Sequence, residues 1–275
     1  MTVSRFRSAR RAPDIAEFAQ ALARMSPAAV LSHRSAAQIW GLWIPEFTAI
    51  EVTTPARDRG SRHTTSVQRH AVIAHRRITP ACDVSEVHGL PVTTLDRTWL
   101  DLATVLGIHD LVAAGDSALR TGAVPDALAD RVAQGAGLRG IARARGAVGL
   151  LDARSRSRPE SRIRTALRLA GLPAPQVNRP VFDGHGQWIG EPDLHYDEAR
   201  LALEYNGKDH EGRMIKDSVR VLDFQRARWK LLVYTAPHAF SRLDEVVDDV
   251  YTELLRRAPR LLVGARLPAR RARIA

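Results

Sequence analysis

The sequence predicts an α/β protein made of two domains. Its 275 residues exceed what a single small domain needs. In the second half, apolar residues at helical spacing alternate with short apolar runs that are typical of strands. The first half mixes helical and strand patterns, which predicts a smaller α+β domain. Between them, the run Arg154-Ser155-Arg156-Ser157-Arg158-Pro159 breaks the pattern and places the boundary near residues 153–157. We therefore expect domains at 1–155 and 156–258 and a basic tail at 259–275.

The first half begins with an amphipathic helix whose apolar face carries Ile15, Phe18, Leu22 and Met25. The elements expected after it are a helix at 32–41, strands at 49–53 and 67–73, a turn and short strand at 88–94, a helix carrying Trp99 to Ala103, and helical segments at 111–119 and 121–158. Ser32 suits the cap of the second helix, and Thr94 or Asp96 suits the cap of the helix that carries Trp99. Trp40, Trp43 and Trp99 are core candidates.

The second half reads as a compact series of helices and strands. Its expected elements are a helix at 159–170, a strand at 177–182, a hairpin turn at 183–186, strands at 188–194 and 201–205, a helix through 219–227, a strand at 230–235 and a helix at 244–255. Such a series predicts a mixed sheet flanked by helices.

The net charge is unusual. Lysine and arginine number 41 against 30 acidic residues, which gives +11 at pH 7, and the isoelectric point is near 10.9. A basic surplus of this kind favours a nucleic-acid partner, because neutralising phosphates releases counterions. Only three of these residues are lysines, so a GC-rich coding bias toward arginine is the alternative explanation.

Composition also narrows the class of protein. The single cysteine, Cys82, excludes an internal disulfide and a multi-cysteine zinc site. The basic N-terminus has no apolar segment behind it, as a signal peptide would, and no apolar run is long enough to span a bilayer. We expect a soluble cytoplasmic protein without a membrane partner.

The strongest chemical signal is the heptapeptide Glu204-Tyr205-Asn206-Gly207-Lys208-Asp209-His210. An apolar run leads into it, so Glu204 closes a buried strand, where an unpaired carboxylate is costly. Asp193 lies eleven positions upstream, on what reads as a neighbouring strand. Two carboxylates placed this way are a minimal ligand set for a hard divalent cation, Mg²⁺ or Mn²⁺.

Other residues are candidates around this pair. The carbonyl of Tyr205 could add a ligand, and Glu160 could be an outer acid, although its place in a helix first turn also suits a structural role. Lys208 or His210 could orient water, bind the scissile phosphate or protonate the leaving oxygen. Asn206 supplies neither a negative charge nor an ammonium group.

The second half resembles a known family. The segments that carry the resemblance are Pro159 to Arg164, Glu191-Pro192-Asp193-Leu194, Leu203 to His210, Asp217 with Arg220, and Trp229 to Val233. They look like an uncharacterised domain family related to very-short-patch-repair endonucleases, in the PD-(D/E)XK superfamily, over roughly residues 157–257. The resemblance implies a restriction-endonuclease-like fold, Asp193 and Glu204 as magnesium ligands, Glu160 as an accessory acid and His210 as a general acid or base. The family usually has Glu-Tyr-Asp-Gly where this chain has Glu-Tyr-Asn-Gly.

The first half resembles a different family. Val30 to Leu42, Gly89 to Thr94 and Asp96 to Ala103 look like AbiEi-type antitoxin proteins over roughly residues 25–120. Such proteins normally begin with a DNA-binding winged helix, for which this chain starts too late. Basic residues nevertheless form a candidate nucleic-acid surface, with a solvated face as the alternative. The candidates across the chain are Arg57, Arg59, Arg62, Arg76, Arg77, Lys208, Arg213 and Arg220.

Three functions are consistent with these observations. The first is a magnesium-dependent endonuclease that hydrolyses DNA, in repair or phage defence. The second is a catalytically silent nucleic-acid-binding or regulatory protein related to toxin–antitoxin systems, which Asn206 favours. The third is a protein-interaction module whose charge is incidental. The first two functions require an affinity for nucleic acid that weakens as the salt concentration rises, and the third does not.

Overall fold

The computed structural model describes residues 12–55, 66–67, 70–207 and 214–263. Within these ranges helices alternate with strands of mixed direction, which confirms the predicted α/β class. Contacts divide the chain into two compact units, Met1–Val148 and Gly149–Ala275. The domain limits expected at 155/156 and 258/259 stay predictions. Among the described residues, no helix is long and apolar enough to cross a membrane.

The first unit begins with a helix that has a capping box, in which Asp14 and Glu17 each accept the other's backbone N–H at 2.9 Å. Its described elements are α1 (Ile15–Ala23), β1 (Val30–Leu31), α2 (His33–Ile39), β2 (Ile50–Thr54), β3 (Ser66–Val67), β4 (His70–Arg76), β5 (Val84–Val87), β6 (Leu90–Thr93), α3 (Leu95–Leu102), α4 (Ile108–Thr121), α5 (Pro125–Gln134) and α6 (Ile141–Val148).

The predicted helical segment 121–158 is interrupted. It forms α5 and α6, and the chain between them turns through Gly137 and Gly140, both with positive φ. At Gly140 a Cβ atom would lie 2.8 Å from the Ala103 carbonyl carbon, so only glycine fits this close approach. The glycines therefore end one helix and start the next.

The sheet of the first unit has the described strand order β3-β4-β2-β1-β6-β5. Strand β2 is central: it pairs antiparallel with β1 and parallel with β4. Every residue of β2 is buried. Ile50 and Val52 pack with Phe18 and Leu31 in one apolar cluster. Since side chains alternate along a strand, Glu51 and Thr53 project from the opposite face.

Two predicted helix caps have the expected position but not the expected hydrogen bond. Ser32 and Thr94 occupy the N-cap positions of α2 and α3, but neither side chain makes a capping hydrogen bond. The Ser32 hydroxyl instead accepts a hydrogen bond from Thr53 Oγ1 at 2.8 Å and bonds His33 Nδ1 at 2.9 Å. Asp96, in the first turn of α3, is ion-paired with Arg131. The Ser32 hydroxyl and the Asp96 carboxylate thus contact side chains of other elements.

The second unit places one helix before a run of antiparallel strands and another before a parallel strand. Its described elements are α7 (Arg158–Leu169), β7 (Gln176–Val177), β8 (Val181–Phe182), β9 (Trp188–Gly190), β10 (Leu194–Tyr196), β11 (Leu201–Tyr205), α8 (Met214–Arg226), β12 (Lys230–Tyr234), α9 (Ala236–Phe240) and α10 (Leu243–Arg257). A 3-10 turn follows at Pro259–Leu262. The rest of the predicted basic tail, 264–275, lies outside the described residues.

The main sheet of the second unit has the described order β12-β11-β10-β7. Strands β7, β10 and β11 are antiparallel, and β12 is parallel to β11. Leu194, Leu201 and Leu203 pack on one face in a cluster that includes residues of α7 and α10. Ala202 packs on the other face with Phe224 of α8 and with Trp229. The sheet is thus covered by helices on both faces.

Two predicted strands are each broken into two. The expected strand at 177–182 is interrupted at Asn178, whose φ of 45° lies in the left-handed region. The expected strand at 188–194 is interrupted at Glu191-Pro192-Asp193, where Pro192 cannot donate a ladder hydrogen bond. The pieces β8 and β9 form a separate hairpin. Asp193 therefore lies just before β10 rather than within a longer strand.

Candidate functional site

The structure brings Asp193 and Glu204 to the same end of paired strands. Leu194 lies opposite Leu203 in the antiparallel register, so the preceding Asp193 lies beside Glu204. Asp193 Oδ2 accepts the backbone N–H of Tyr205 at 2.7 Å. This bond ties the carboxylate to the end of β11, where the sequence predicted it.

The Asp193 carboxyl group has an unusual affinity for its proton. Burial, followed by the negative charge of Glu160, raises its pKa from 3.8 to about 7. Glu204 raises the pKa further, whereas the Tyr205 N–H and Arg220 lower it. Three acidic groups thus lie close enough to interact strongly, which is a property of many functional sites.

Glu204 has a cationic neighbour. Arg220 on α8 forms an ion pair with Glu204 through Nη2 and Oε1. The same Nη2 donates to the backbone carbonyl of Glu191 at 2.9 Å. Both side chains are partly exposed, 37% for Arg220 and 20% for Glu204. A residue expected to contact nucleic acid therefore also supplies the positive charge beside the candidate metal ligand.

Glu160 is held by several donors. Ser157 Oγ donates to Glu160 Oε1 at 2.7 Å, and Oε2 accepts from the Arg156 backbone N–H and from Asn178 Nδ2, each at 2.9 Å. Asn178 also donates its backbone N–H to the carbonyl of Asp193 at 3.0 Å. Glu160 consequently caps the start of α7 and is connected to Asp193 through a single asparagine.

Part of this arrangement was not predicted from the sequence. Asn178 joins two of the acids, and Arg156 Nη2 lies 2.5 Å from Glu191 Oε1 in a second ion pair. Their sequence signals were weak: a lone asparagine between Val177 and Arg179, and one arginine in an arginine-rich segment. Glu191 belongs to the segment already quoted for the resemblance, but its side chain was not assigned a role.

The described residues include no group of three histidine, cysteine or acidic side chains arranged to hold a metal ion. Asp193 and Glu204 remain neighbours, so two carboxylates and the carbonyl of Tyr205 are the oxygen donors on offer. Asn206 follows β11 and donates its backbone N–H to the Tyr234 carbonyl at 2.7 Å. Lys208, His210 and Arg213 lie outside the described residues. The metal and catalytic roles stay predictions.

Few of the predicted basic residues can be placed in the first unit. Arg76 ends β4 and is exposed. Arg77 follows it, with its Nη1 atom 3.9 Å from Asp101 Oδ1. Arg57, Arg59 and Arg62 lie outside the described residues. A nucleic-acid role for this group stays a prediction.

A second polar cluster lies in the first unit and was not predicted. Its centre is the fully buried Glu51 of β2. Arg34 donates its backbone N–H and Nε to Glu51 Oε2 at 2.8 and 3.0 Å, and its Nη2 to Oε1 at 2.9 Å. His75 Nε2 lies 3.3 Å from Oε1. Although burial opposes the charge, these bonds lower the pKa of Glu51 to about 2.

His33 completes this cluster. Its ring stacks on His75 with centroids 3.6 Å apart, and its φ is 50°. Burial lowers the pKa of His33 to about 4, so the imidazole is neutral at pH 7. The signal that could have revealed the cluster is a glutamate in the middle of a strand whose other residues are apolar or threonine.

Comparison with known proteins bears mainly on the first unit. Residues 27–152 match the family model described as the AbiEi antitoxin C-terminal domain. Two uncharacterised proteins, from two strains of Mycobacterium tuberculosis, are each 29% identical over 231 residues, which cover 82% of this chain and 78% of each relative. No solved structure matches the chain. The antitoxin-like resemblance of the first half is thereby confirmed, and the endonuclease-like resemblance of the second half stays a prediction.

Proposed function

We propose that this protein is a nucleic-acid-binding regulatory protein of the toxin–antitoxin type, with a catalytically silent carboxylate cluster in its second unit. The observation that carries the proposal is the match of residues 27–152 to the AbiEi antitoxin C-terminal domain. That match covers most of the first unit, which includes both the β2-centred sheet and helices α3 to α6.

The charge of the chain supports the same proposal. A surplus of +11 attracts polyanions, and each phosphate that is neutralised releases counterions into solution. Arginine is well suited to this role because its planar guanidinium binds phosphate through two parallel hydrogen bonds. A regulatory protein needs this affinity but needs no bond cleavage.

The geometry of the carboxylate cluster supports catalytic silence. The guanidinium of Arg220 is already ion-paired with Glu204, and it lowers the pKa of Asp193. Glu160 has hydrogen-bond donors on both oxygens. The charge that a divalent cation would neutralise is therefore partly neutralised by the protein itself.

The test combines binding and cleavage on the same protein. Fluorescence anisotropy with labelled duplex and single-stranded DNA, between ~50 and ~200 mM salt, should give an affinity whose logarithm falls linearly with the logarithm of salt concentration. Incubation of supercoiled DNA with Mg²⁺ or Mn²⁺ should leave wild type, Asp193→Asn and Glu204→Gln equally inactive. Salt-insensitive or absent binding would refute the proposal.

A second candidate, a magnesium-dependent endonuclease, is favoured by one observation. Glu160 and Glu204 both raise the pKa of Asp193, and a bound cation would relieve this repulsion. The described order of helix, three antiparallel strands, helix and parallel strand agrees with the fold that the resemblance implies. Asp193, Glu204 and the Tyr205 carbonyl would hold Mg²⁺, which would supply Lewis-acid stabilisation of charge on a phosphate.

Arg220→Ala separates the two candidates. Under the regulatory proposal this variant removes the positive charge of Arg220 beside Glu204 and gains Mn²⁺ binding, measured by calorimetry, while wild type binds none. Under the endonuclease proposal wild type binds Mn²⁺ and nicks DNA, and both properties disappear in Asp193→Asn. Asn206→Asp is the variant to compare with Arg220→Ala, because it introduces the acid that the resembled family usually carries at position 206.

A further inference from the structure

The second unit contains a groove that its carboxylate cluster does not use. The groove, which we call the Trp188 groove, has a volume of about 550 Å³. It lies between the β8–β9 hairpin and the chain that leaves α8. Its lining includes Trp188, Arg200, Arg226, Arg228 and the hairpin turn that contains Asp183 and His185.

An exposed indole forms one wall of the groove. Trp188 is 63% exposed, although tryptophan is among the costliest side chains to leave in water. Phe182, its partner across the hairpin, is 50% exposed. A solvent-exposed aromatic ring offers a flat surface on which an unpaired nucleobase can stack, whatever the base.

Arginines form the other side. Arg200, Arg226 and Arg228 are all exposed. Arg200 and Arg228 have φ values of 44° and 63°, in the left-handed region that favours glycine. Two loops that meet at one groove thus hold arginine where glycine would be less strained, and such residues tend to occur at functional sites.

One acid of the groove holds the hairpin turn, and the other pairs with a groove arginine. Asp183 Oδ1 accepts the backbone N–H groups of His185 and Gln187 at 2.8 and 2.9 Å, which holds the hairpin turn. Asp223 Oδ1 lies 3.4 Å from Arg226 Nη1 on an exposed stretch of α8. The groove therefore presents an indole and guanidinium groups to a ligand.

We propose that the Trp188 groove binds single-stranded nucleic acid, with a base stacked on Trp188 and the adjoining phosphates on Arg226 and Arg228. A base and a phosphate are adjacent in every nucleotide, and an aromatic wall beside cations complements both. In a duplex the bases are paired and stacked, so their faces are not available to the indole. This inference rests on the proposed nucleic-acid-binding function and names the site and the strand state.

The test measures affinity for a labelled single strand of ~12 thymidines and for a duplex of equal length. Trp188→Ala should weaken single-strand binding roughly 5- to 100-fold, the range that loss of one stacking aromatic produces. Trp188→Phe should retain most of the affinity. Duplex affinity should change by less than twofold in both variants.

Two arginine variants test the cationic side. Arg228→Gly removes a guanidinium but suits the left-handed backbone, so binding should weaken without any fall in melting temperature. Arg226→Ala should lower the slope of log affinity against log salt by about 1. Its matched control is Arg256→Ala: Arg226 and Arg256 are 76% and 71% exposed, and each faces an acid three residues earlier in a helix. The control should leave the slope unchanged.

The outcomes separate this inference from the proposed function. If wild type binds neither DNA, the proposed function fails and the inference fails with it. If wild type binds DNA but Trp188→Ala binds the single strand equally well, only the inference is overturned. An equal loss of duplex affinity in Trp188→Ala would overturn the strand preference, and competition by thymidine monophosphate at equal concentration would show a mononucleotide site instead.

Discussion

Glu51 in the first unit lies within a strand and Asp193 in the second lies just before one, yet the pKa values of these two carboxyl groups are shifted in opposite directions. The pKa of Glu51 is lowered to about 2, and that of Asp193 is raised to about 7. Burial raises both. The partners make the difference, because Glu51 faces Arg34 and His75, whereas Asp193 faces two other acids.

Because of this contrast, we regard Glu51 as a structural anchor of the fold and Asp193 as part of a candidate functional site. Glu51 ties the start of α2 to the sheet through three hydrogen bonds from Arg34, so its charge is stabilised by the fold. In the described part of the chain, the contacts that favour the charged form of Asp193 include the Tyr205 N–H and the nearby charge of Arg220. Residues held against their electrostatic preference are a feature of sites that serve function.

The largest expected effect is that of Glu51→Ala. Removing this carboxylate leaves the Arg34 guanidinium without its buried partner, which costs ~3–5 kcal/mol of unfolding free energy. Urea unfolding followed by circular dichroism measures the loss. Glu204→Ala is the control, expected to cost ~1 kcal/mol or less because its partner is partly exposed. Equal losses of unfolding free energy in Glu51→Ala and Glu204→Ala would contradict the distinction between a structural anchor and a candidate site.

Asp193→Asn should have the next largest effect on the free energy of unfolding, and it should stabilise the protein. A carboxyl group whose pKa is raised in the folded state loses stability as pH rises from about 4 to about 7. Three pKa units at about 1.4 kcal/mol each set an upper limit of ~4 kcal/mol. At pH 8 the variant should therefore melt several degrees higher than wild type, and below pH 4 the gain should vanish. Asp223→Asn, at a side chain that is 44% exposed, controls for the loss of one charge.

His33→Asn tests the effect of burial on a basic group, whereas the variants above concern acidic groups. The folded pKa of His33 is about 4, below its usual 6.5, so wild type loses stability as pH falls through this interval. Asparagine tolerates the left-handed backbone of this position but has no proton to gain. The variant should gain ~1–3 kcal/mol relative to wild type between pH 6.5 and pH 4. A constant difference across this range would contradict a buried neutral imidazole.

The smallest effect on stability belongs to Arg220→Ala, within ~1 kcal/mol for a partly exposed pair. Its effect on acidity should nevertheless be clear, because Arg220 lowers the pKa of Asp193. Nuclear magnetic resonance titration of the Asp193 carboxyl carbon should place the pKa higher in the variant. Arg156→Ala, which removes the ion pair with Glu191, is the matched control. An unchanged pKa of Asp193 in Arg220→Ala would mean that the guanidinium does not reach the site.

Much of the secondary structure was predicted from the periodicity of apolar residues in the sequence. Helices α1, α2, α3, α4, α7 and α10 and strands β2, β11 and β12 lie within a few residues of the expected segments. The failures have local physical causes. Asn178 adopts a left-handed backbone and Pro192 lacks an N–H group, so two apolar runs that read as long strands each became two short ones.

The candidate site was predicted unevenly. The pairing of Asp193 with Glu204 followed from two acids beside apolar runs, and the register places them side by side. The ion pair of Glu204 with Arg220 could not be foreseen, since the two residues are sixteen positions apart and arginines are frequent in this chain. The cluster around Glu51 was missed because its members come from three distant segments.

The sequence by itself determined the α/β class, the order of most elements and the excess of positive charge, because periodicity and composition are local properties that survive in any fold. Tertiary structure alone decided which charges meet. A carboxylate has nearly the same intrinsic acidity in every sequence, and its neighbours in space set whether the fold stabilises or opposes its charge. Glu51 and Asp193 are the two outcomes of that rule in one chain.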